Sequence, residues 1–324
     1  MTLHERWFVE TRYPVQWQEA TSPEFWIAVG TAAGVTAVAT VLWRIRRGRD
    51  FVPGPLELGM QRENYQRLLS WMPLVIGVHA AVPLLVGGAQ RYLLVPNMAL
   101  AWNFAGGVLA TCEIVVALAF VYGALARPAA LLLAALWFAG AFIFGVLQPL
   151  EQAIFLGIAF FIFSAGRGPL AFDMALKRLH EPIIGLVPYS VPVLRVLTGI
   201  GIIFGALDEK LLNVPMGVAF LDAYPFNFFP SIGFPGVSNR DFILIAGAVE
   251  LTFGMLLVSG AFIRSMILLL WVPFNLTLPF LGWRELIGHL PIYGVMALLL
   301  IWGKVEVRTA AEMVTGIEKR EDEH

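Results

Sequence analysis

Charge is scarce in this chain. Only 14% of its 324 residues are Asp, Glu, Lys or Arg, whereas 58% are hydrophobic. A soluble domain of this length would be about a quarter charged. The net charge of −1 leaves no basic field to attract nucleic acid. Cysteine is nearly absent. Cys112 stands alone beside Glu113, so the chain has no CxxC pair and no intrachain disulfide, and it is not itself a dithiol oxidoreductase. In an apolar run, Cys112 reads as a small core residue. There are five histidines and no His/Cys cluster, so a metal centre has no support. No nucleophile sits with a base, and Gly166-Arg167-Gly168 reads as a helix exit, not a dinucleotide fingerprint. The opening stretch, MTLHERWFVETRYPVQW, lacks a basic region followed by an apolar core, so no secretory signal is expected there.

Long apolar runs are present, and they define an all-α polytopic transmembrane bundle. Nine spans are expected, near 23–42, 68–88, 103–125, 128–149, 152–166, 190–208, 241–261, 265–282 and 286–303. The 152–166 run is marginal in length. Arg44, Arg46, Arg47 and Arg49 follow the first span directly and place its end in the cytoplasm. Nine spans then put the N-terminus outside and the C-terminus inside a bacterial or archaeal cell membrane. On this topology sixteen Lys and Arg residues fall inside and six outside, the bias expected of inner-membrane proteins. Residues 169–188 predict an amphipathic helix on the cytoplasmic surface, and residues 305–324 a polar tail. The long external loop 211–240 and the N-terminal arm are rich in aromatics. Trp7, Trp17, Phe226, Phe228 and Phe229 are therefore candidates for resting on lipid or docking another membrane or periplasmic redox protein.

One pattern occurs twice. Glu113, Gly123 and Arg127 recur 137 residues later as Glu250, Gly260 and Arg264. Each set reads as a helical hairpin with a buried carboxylate and an arginine at the turn. Arg67 and Gly77 recur at a shorter offset of 128 as Arg195 and Gly205. The chain thus divides into an arm and first span (1–50), a four-helix repeat (64–168), the linker (169–188) and a second four-helix repeat (189–304), with both repeats running in parallel. The second repeat, with VLRVLTGIGIIFGALDEKLL and AGAVELTFGMLLVSGAFIRSMILLL, resembles the DoxX family of four-helix membrane proteins. In the first, FSAGRGPLAFD resembles the glycine-rich exit after that family's fourth helix. The resemblance covers about three quarters of the chain as a tandem duplication. It implies a redox-associated membrane subunit, since some DoxX-like proteins are linked to quinone reduction by sulfur compounds. It supplies no catalytic residue set.

The residues that could carry chemistry are few. Glu113 and Glu250 lie near mid-span, where an ionised carboxylate needs a partner or a proton. Ala110 and Ala117 flank the first and Gly247 and Gly254 the second, which lets a neighbouring helix approach closely. Each carboxyl reads either as an interhelical hydrogen bond or as a proton-relay or quinone-headgroup acid. His79 is the expected titrating partner of Glu113, and Asn275, between Pro273 and Pro279, the expected neighbour of Glu250 in a ligand pocket. Asp208, Lys210, Asp241, Arg284, Glu285 and His289 are expected at a solvated external rim, with Lys210 paired to Asp241. His79 and His289 fall in different repeats and lack a haem-attachment motif, so a tetrapyrrole is disfavoured. Three readings follow, in order: an accessory membrane subunit of a redox complex, without autonomous catalysis; a quinone-linked redox subunit; and a transporter for a small solute or protons.

Overall fold

The computed structural model describes residues 5–9, 13–175 and 181–302. Every described element but one isolated bridge, Tyr92 to Ala99, is helical or irregular. The helices are α1 (Pro23–Ile45), α2 (Arg62–Ser70), α3 (Met72–Gln90), α4 (Phe104–Tyr122), α5 (Ala126–Phe144), α6 (Leu147–Glu151), α7 (Ala153–Ala165), α8 (Val187–Gly205), α9 (Val214–Ala223), α10 (Asn239–Ser259), α11 (Ile263–Leu276) and α12 (Leu278–Trp302). Seven of the described helices are long and apolar enough to cross a membrane.

Two of the nine expected spans are not single helices. α7 has 13 residues and α11 has 14, roughly 20 Å each at about 1.5 Å per residue, short of the ~30 Å of hydrocarbon. The first is preceded by α6 across a break at Gln152. The second is followed, after Thr277, by residues 278–281, and Gly282 (φ 68°, ψ −148°) then interrupts the helix. The linker helix expected at 169–188 falls partly on residues 176–180, outside the described residues. What is described there is one 3-10 turn, Phe172–Ala175, before α8 begins at Val187. The 305–324 tail lies wholly outside them.

The helices pack as a ring of two sets. Within the first set α3 lies on α4, α4 on α5 and α5 on α7; within the second α8 lies on α10 and α11 on α12. The sets meet at two seams, α7 on α8 and α12 on α3. α1 stands outside, mainly against α10, and most of its apolar surface remains exposed.

The two hairpins close alike. Gly123 (φ 65°) and Gly260 (φ 77°) end α4 and α10 in the left-handed region that favours glycine. Two residues on, Leu125 (φ 54°) and Phe262 (φ 49°) adopt it too, at a cost of roughly 1–2 kcal/mol each for a residue with a Cβ. A carboxylate from elsewhere secures each turn. Asp173 accepts from the amides of Leu125 (2.7 Å) and Ala126 (2.8 Å), and Asp50 accepts from those of Arg264 (2.8 Å) and Ser265 (3.2 Å). Both thereby satisfy orphan amides at a helix N-terminus. Asp50→Ala and Asp173→Ala are each expected to destabilise the protein by about 1–2 kcal/mol, measured by unfolding in detergent, with Asn restoring part of the loss.

Arginines then tie the hairpins to the bundle. Arg127 Nε donates to the Phe163 carbonyl (3.0 Å) and Arg264 Nε to that of Leu300 (3.2 Å), acceptors again 137 residues apart. The last carbonyls of α4, Phe120 and Val121, accept from Arg167, and those of α10, Leu257 and Val258, accept from Arg195. The expected counterpart of Arg195, Arg67, is instead exposed on α2. Arg167 fills its role by reaching back from the end of α7.

Glycine sets the close crossing of α8 and α10. A Cβ on Gly199 would lie 2.7 Å from the Gly254 carbonyl, and one on Gly254 would lie 2.9 Å from the Gly199 carbonyl. Backbone cannot move aside as a side chain can. Gly199→Val is therefore expected to cost about 1–3 kcal/mol through forced separation of α8 and α10, read as a lower unfolding midpoint, with Gly34→Ala, where an added Cβ meets nothing within 4 Å, as the comparison.

Candidate functional site: a sealed acid cluster

The N-terminal arm does not lie free on the membrane. Gln16 donates its amide to the Leu212 carbonyl (2.8 Å), and Asn213 Nδ2 donates to the Tyr13 carbonyl (3.2 Å). The short turn Glu5–Trp7 reaches over the end of α8. There the chain widens into a π-helical turn, Ala206–Leu211, a form that often marks functional positions. The wider turn brings Asp208, Glu209 and Lys210 all into the interior, each under 5% exposed. Gly247 makes room for it on α10, since a Cβ there would meet Leu211 at 2.7 Å and Lys210 at 3.1 Å.

Lys210 is the centre of this arrangement. Its ammonium lies 3.0 Å from Glu250 Oε2 and 3.3 Å from Glu5 Oε1. The Glu5 amide donates to Glu209 Oε2 (2.8 Å), and Arg6 pairs with Asp208 at 2.7 Å. Glu151, at the end of α6, brings a further carboxyl against Asp208. Five carboxyl groups, Glu5, Glu151, Asp208, Glu209 and Glu250, thus share one buried volume with two cations, Arg6 and Lys210. Oxygens of Glu5, Glu151, Asp208 and Glu209 have no hydrogen-bond partner among the described residues. An ionised carboxylate without a partner costs several kcal/mol in such surroundings. Among the described residues the carboxyls of the cluster outnumber the cations, an excess that favours protonated forms.

Burial acts in the same sense on the groups of the cluster that lie outside the long spans. Burial pushes the Glu5 carboxyl up to about 7, against the opposing pull of Lys210. Burial, and then the Asp208 carboxyl beside it, hold Glu151 well above the usual carboxylate range. A carboxyl raised in the folded state contributes stability that is complete below its ordinary pKa near 4.5 and is lost as pH rises through the folded value. Docking of the arm is therefore expected to weaken between pH 4.5 and about 7 as Glu5 ionises. Faster amide exchange of residues 5–9 with rising pH, beyond the intrinsic base dependence and absent in Glu5→Gln, is the measurement.

Beside the cluster are two adjacent cavities on the seam between the helix sets. The inner one, of about 50 Å³, is lined by Glu151, Gln152 and Thr198. The outer one, of about 200 Å³, is lined by Tyr92, Trp283 and Arg284. Trp7, Pro83, Leu94 and Gly288 line both. Trp7 is fixed there by a hydrogen bond from Nε1 to Asn97 Oδ1 (3.1 Å). Burial, and then the charge of Glu113, push the Tyr92 phenol up to about 12, so it remains a hydrogen-bond donor at neutral pH.

The candidate residues sort as follows. Glu250 is buried as expected, but its partner is Lys210, not Asn275. Asn275 donates to the Trp271 carbonyl (2.7 Å) of its own helix, on an exposed face. Lys210 does not pair with Asp241, which caps α10 through Ser238. Glu113 Oε1 accepts from the Leu94 amide (2.9 Å) and so anchors the loop after α3. His79 is not its partner. His79 Nδ1 bonds the Val75 carbonyl (2.8 Å), and the residue packs beside Gly294 of α12.

The external rim is not a solvated surface. Asp208, Lys210, Glu285 and His289 are all buried, and only Asp241 and Arg284 of that set are exposed. Glu285 Oε1 accepts from Thr277 Oγ1 (3.1 Å) and lies 3.3 Å from His289 Nε2.

The aromatics of the loop also turn inward. α9 forms within the segment expected as irregular and buries Phe220, on which Phe226 stacks at 5.9 Å, while Phe229 packs on Phe242. Trp17 and Phe228 keep substantial exposure, 63% and 44%. Glu151 and Glu209 belong with the outer-end residues expected at a solvated rim and are buried instead; nothing in the sequence marks Glu5, Arg6 or Thr277 as chemistry. The one available signal was DEK at 208–210, charged residues continuing an apolar run without a turn. Among the described residues no group of three His, Cys, Asp or Glu is placed to hold a metal ion.

The fold and the burial pattern define an all-α polytopic membrane protein. No family profile, characterised protein or solved structure matches the chain.

Proposed function

We propose that this chain is a tandem-duplicated, DoxX-like membrane subunit of a redox complex, in which the sealed acid cluster exchanges protons with a quinone headgroup held in the outer cavity. The observation that carries the reading is the excess of buried carboxyls over cations beside a cavity with a phenol and a guanidinium in its wall. A quinone would supply a two-electron, two-proton couple, with its electrons coming from a partner redox protein. The chain's own residues fit such a group. The outer cavity has room for one ring but not for a large solute. Tyr92 and Arg284 offer donors to ring carbonyls, and Trp7 and Trp283 offer flat apolar faces. Glu151 and Glu209 would hold the protons, and Arg6 and Lys210 limit the charge left when protons depart. The duplication is supported by the shared 137-residue offset of the turn glycines, the left-handed residues after them and the acceptors of Arg127 and Arg264.

Glu151→Gln is the test. The amide copies the protonated acid in shape, breaks no ion pair and cannot release a proton. In native membranes it is expected to slow quinone reduction about a hundredfold, the scale of a lost general acid, with assembly of the complex unchanged. Unchanged turnover in that variant would remove the proposal.

A transport reading has one observation of its own. The break at Thr277 and the turn at Gly282 bring Thr277, Glu285 and His289 together in the interior, and interrupted helices line substrate sites in carriers. Proton-coupled solute uptake by vesicles containing the purified protein, without quinone, would favour it.

A further inference from the structure

At the opposite end of the bundle, below the arginines that follow α1, lies a cleft of about 520 Å³. We propose that it binds a phosphate-bearing anion between Arg47, Arg49, Arg195 and Arg264. All four line the cleft, from three separate parts of the chain.

Its two acidic residues are already engaged. Asp50 accepts from the Arg264 amide and from Ser265, and Glu57 accepts from the Gly54 amide and, at 3.2 Å, from Arg264 Nη1. Among the described residues, four guanidiniums against two carboxylates leave a surplus of two positive charges, and guanidinium geometry matches phosphate oxygens.

The cations are also built into place. A Cβ on Gly54 would lie within 2.6 Å of three guanidinium atoms of Arg264, so only glycine lets that group lie across the backbone. Gly260 admits the Arg195 guanidinium in the same way, with a closest approach of 3.1 Å to a Cβ. Arg195 donates to the Val258 carbonyl (3.0 Å), and Arg264 Nε donates to that of Leu300 (3.2 Å). Both are therefore held at the wall before any ligand arrives. Arg47 and Arg49 are exposed at the mouth. Trp43 and Trp302 line the same cleft, as tryptophans do at headgroup depth.

The phosphate could belong to an anionic phospholipid headgroup or to a free anion, and the experiment separates the two. Delipidated protein is titrated with phosphatidylglycerol and, separately, with phosphatidylcholine, and bound lipid is counted by native mass spectrometry. The titration is repeated with inorganic pyrophosphate present. The variant is Arg47→Gln/Arg49→Gln, which alters only exposed residues at the mouth. Phosphatidylglycerol is expected to bind more tightly than phosphatidylcholine, and the variant to lose roughly 5-fold per arginine, or about 30-fold for the pair. Resistance to pyrophosphate identifies the lipid as the source, and displacement by it identifies a soluble anion. No preference for the anionic lipid together with no pyrophosphate binding overturns the proposal, as does binding with unchanged affinity in the variant. The cleft is remote from the acid cluster, so Glu151→Gln is expected to leave this titration unaltered.

Discussion

Lys210→Ala is expected to destabilise the protein by about 3–5 kcal/mol, the usual consequence of removing one partner from a buried ion pair. Lys210 is fully buried and lies within 3.3 Å of both Glu5 and Glu250. Its loss leaves two carboxyls facing each other in a volume that already holds Asp208, Glu209 and Glu151. They would have to take up protons, and the arm would lose one of its attachments to the bundle. Two further variants separate charge from packing. Lys210→Met keeps most of the side-chain volume, so any deficit shared with Lys210→Ala is electrostatic. Lys210→Met combined with Glu250→Gln removes both members of one pair and is expected to recover much of the stability. Chemical unfolding in detergent, compared across this double-mutant cycle, is the check. Equal loss from the single and the double variants would show that packing, not charge, holds this region.

Arg167→Ala is expected to cost about 3 kcal/mol or more, with the first helix set loosened before the second. Arg167 is 2% exposed and is the largest of the fully buried side chains. Burial lowers its pKa to about 10, so it stays charged at neutral pH. Its guanidinium closes the end of α4 through the Phe120 and Val121 carbonyls, and its stem packs beside Gly77. Alanine would leave both a cavity and orphaned carbonyls, and the two costs add. Arg167→Lys is expected to rescue little, because an ammonium is a single point charge where a planar fork is needed. Hydrogen exchange should show early release of α4 and α5 in Arg167→Ala. Protection of α10 and α11, which Arg195 serves, should persist.

The same arginine shows how far the sequence could be read. A pattern of Glu, Gly and Arg at a fixed offset was visible in both hairpins, because glycine at the turn and arginine after it are local requirements. Arg67 was the expected counterpart of Arg195 because it stands at the equivalent chain position. The role is defined in space, however, and a long side chain from the far end of α7 fills it. Glu250 was legible as a buried carboxyl because apolar neighbours surround it on the helix. Its partner was not, since Glu5 and Lys210 reach it from an arm and from a π turn, neither of which has a hydrophobic period. His79 and Glu113 looked like a pair because each is a lone polar residue in its span, but a helix face decides the neighbour, and His79 faces α12. The aromatic loop reads as surplus surface because six aromatics crowd a segment, 211–240, whose four prolines suggest no helix. Pro215 instead sits at the start of α9, where proline is well tolerated.

Carboxyls that hold protons beside a quinone-sized cavity are the centre of the proposed function. Infrared difference spectroscopy on the protein in native membranes, comparing oxidised and reduced quinone pools, reports protonated carboxyl groups directly. A change in the carboxylic acid carbonyl band that is present in the native protein and diminished in Glu151→Gln is the predicted result. A spectrum in which no carboxyl changes protonation, with the quinone pool fully reduced, would contradict it.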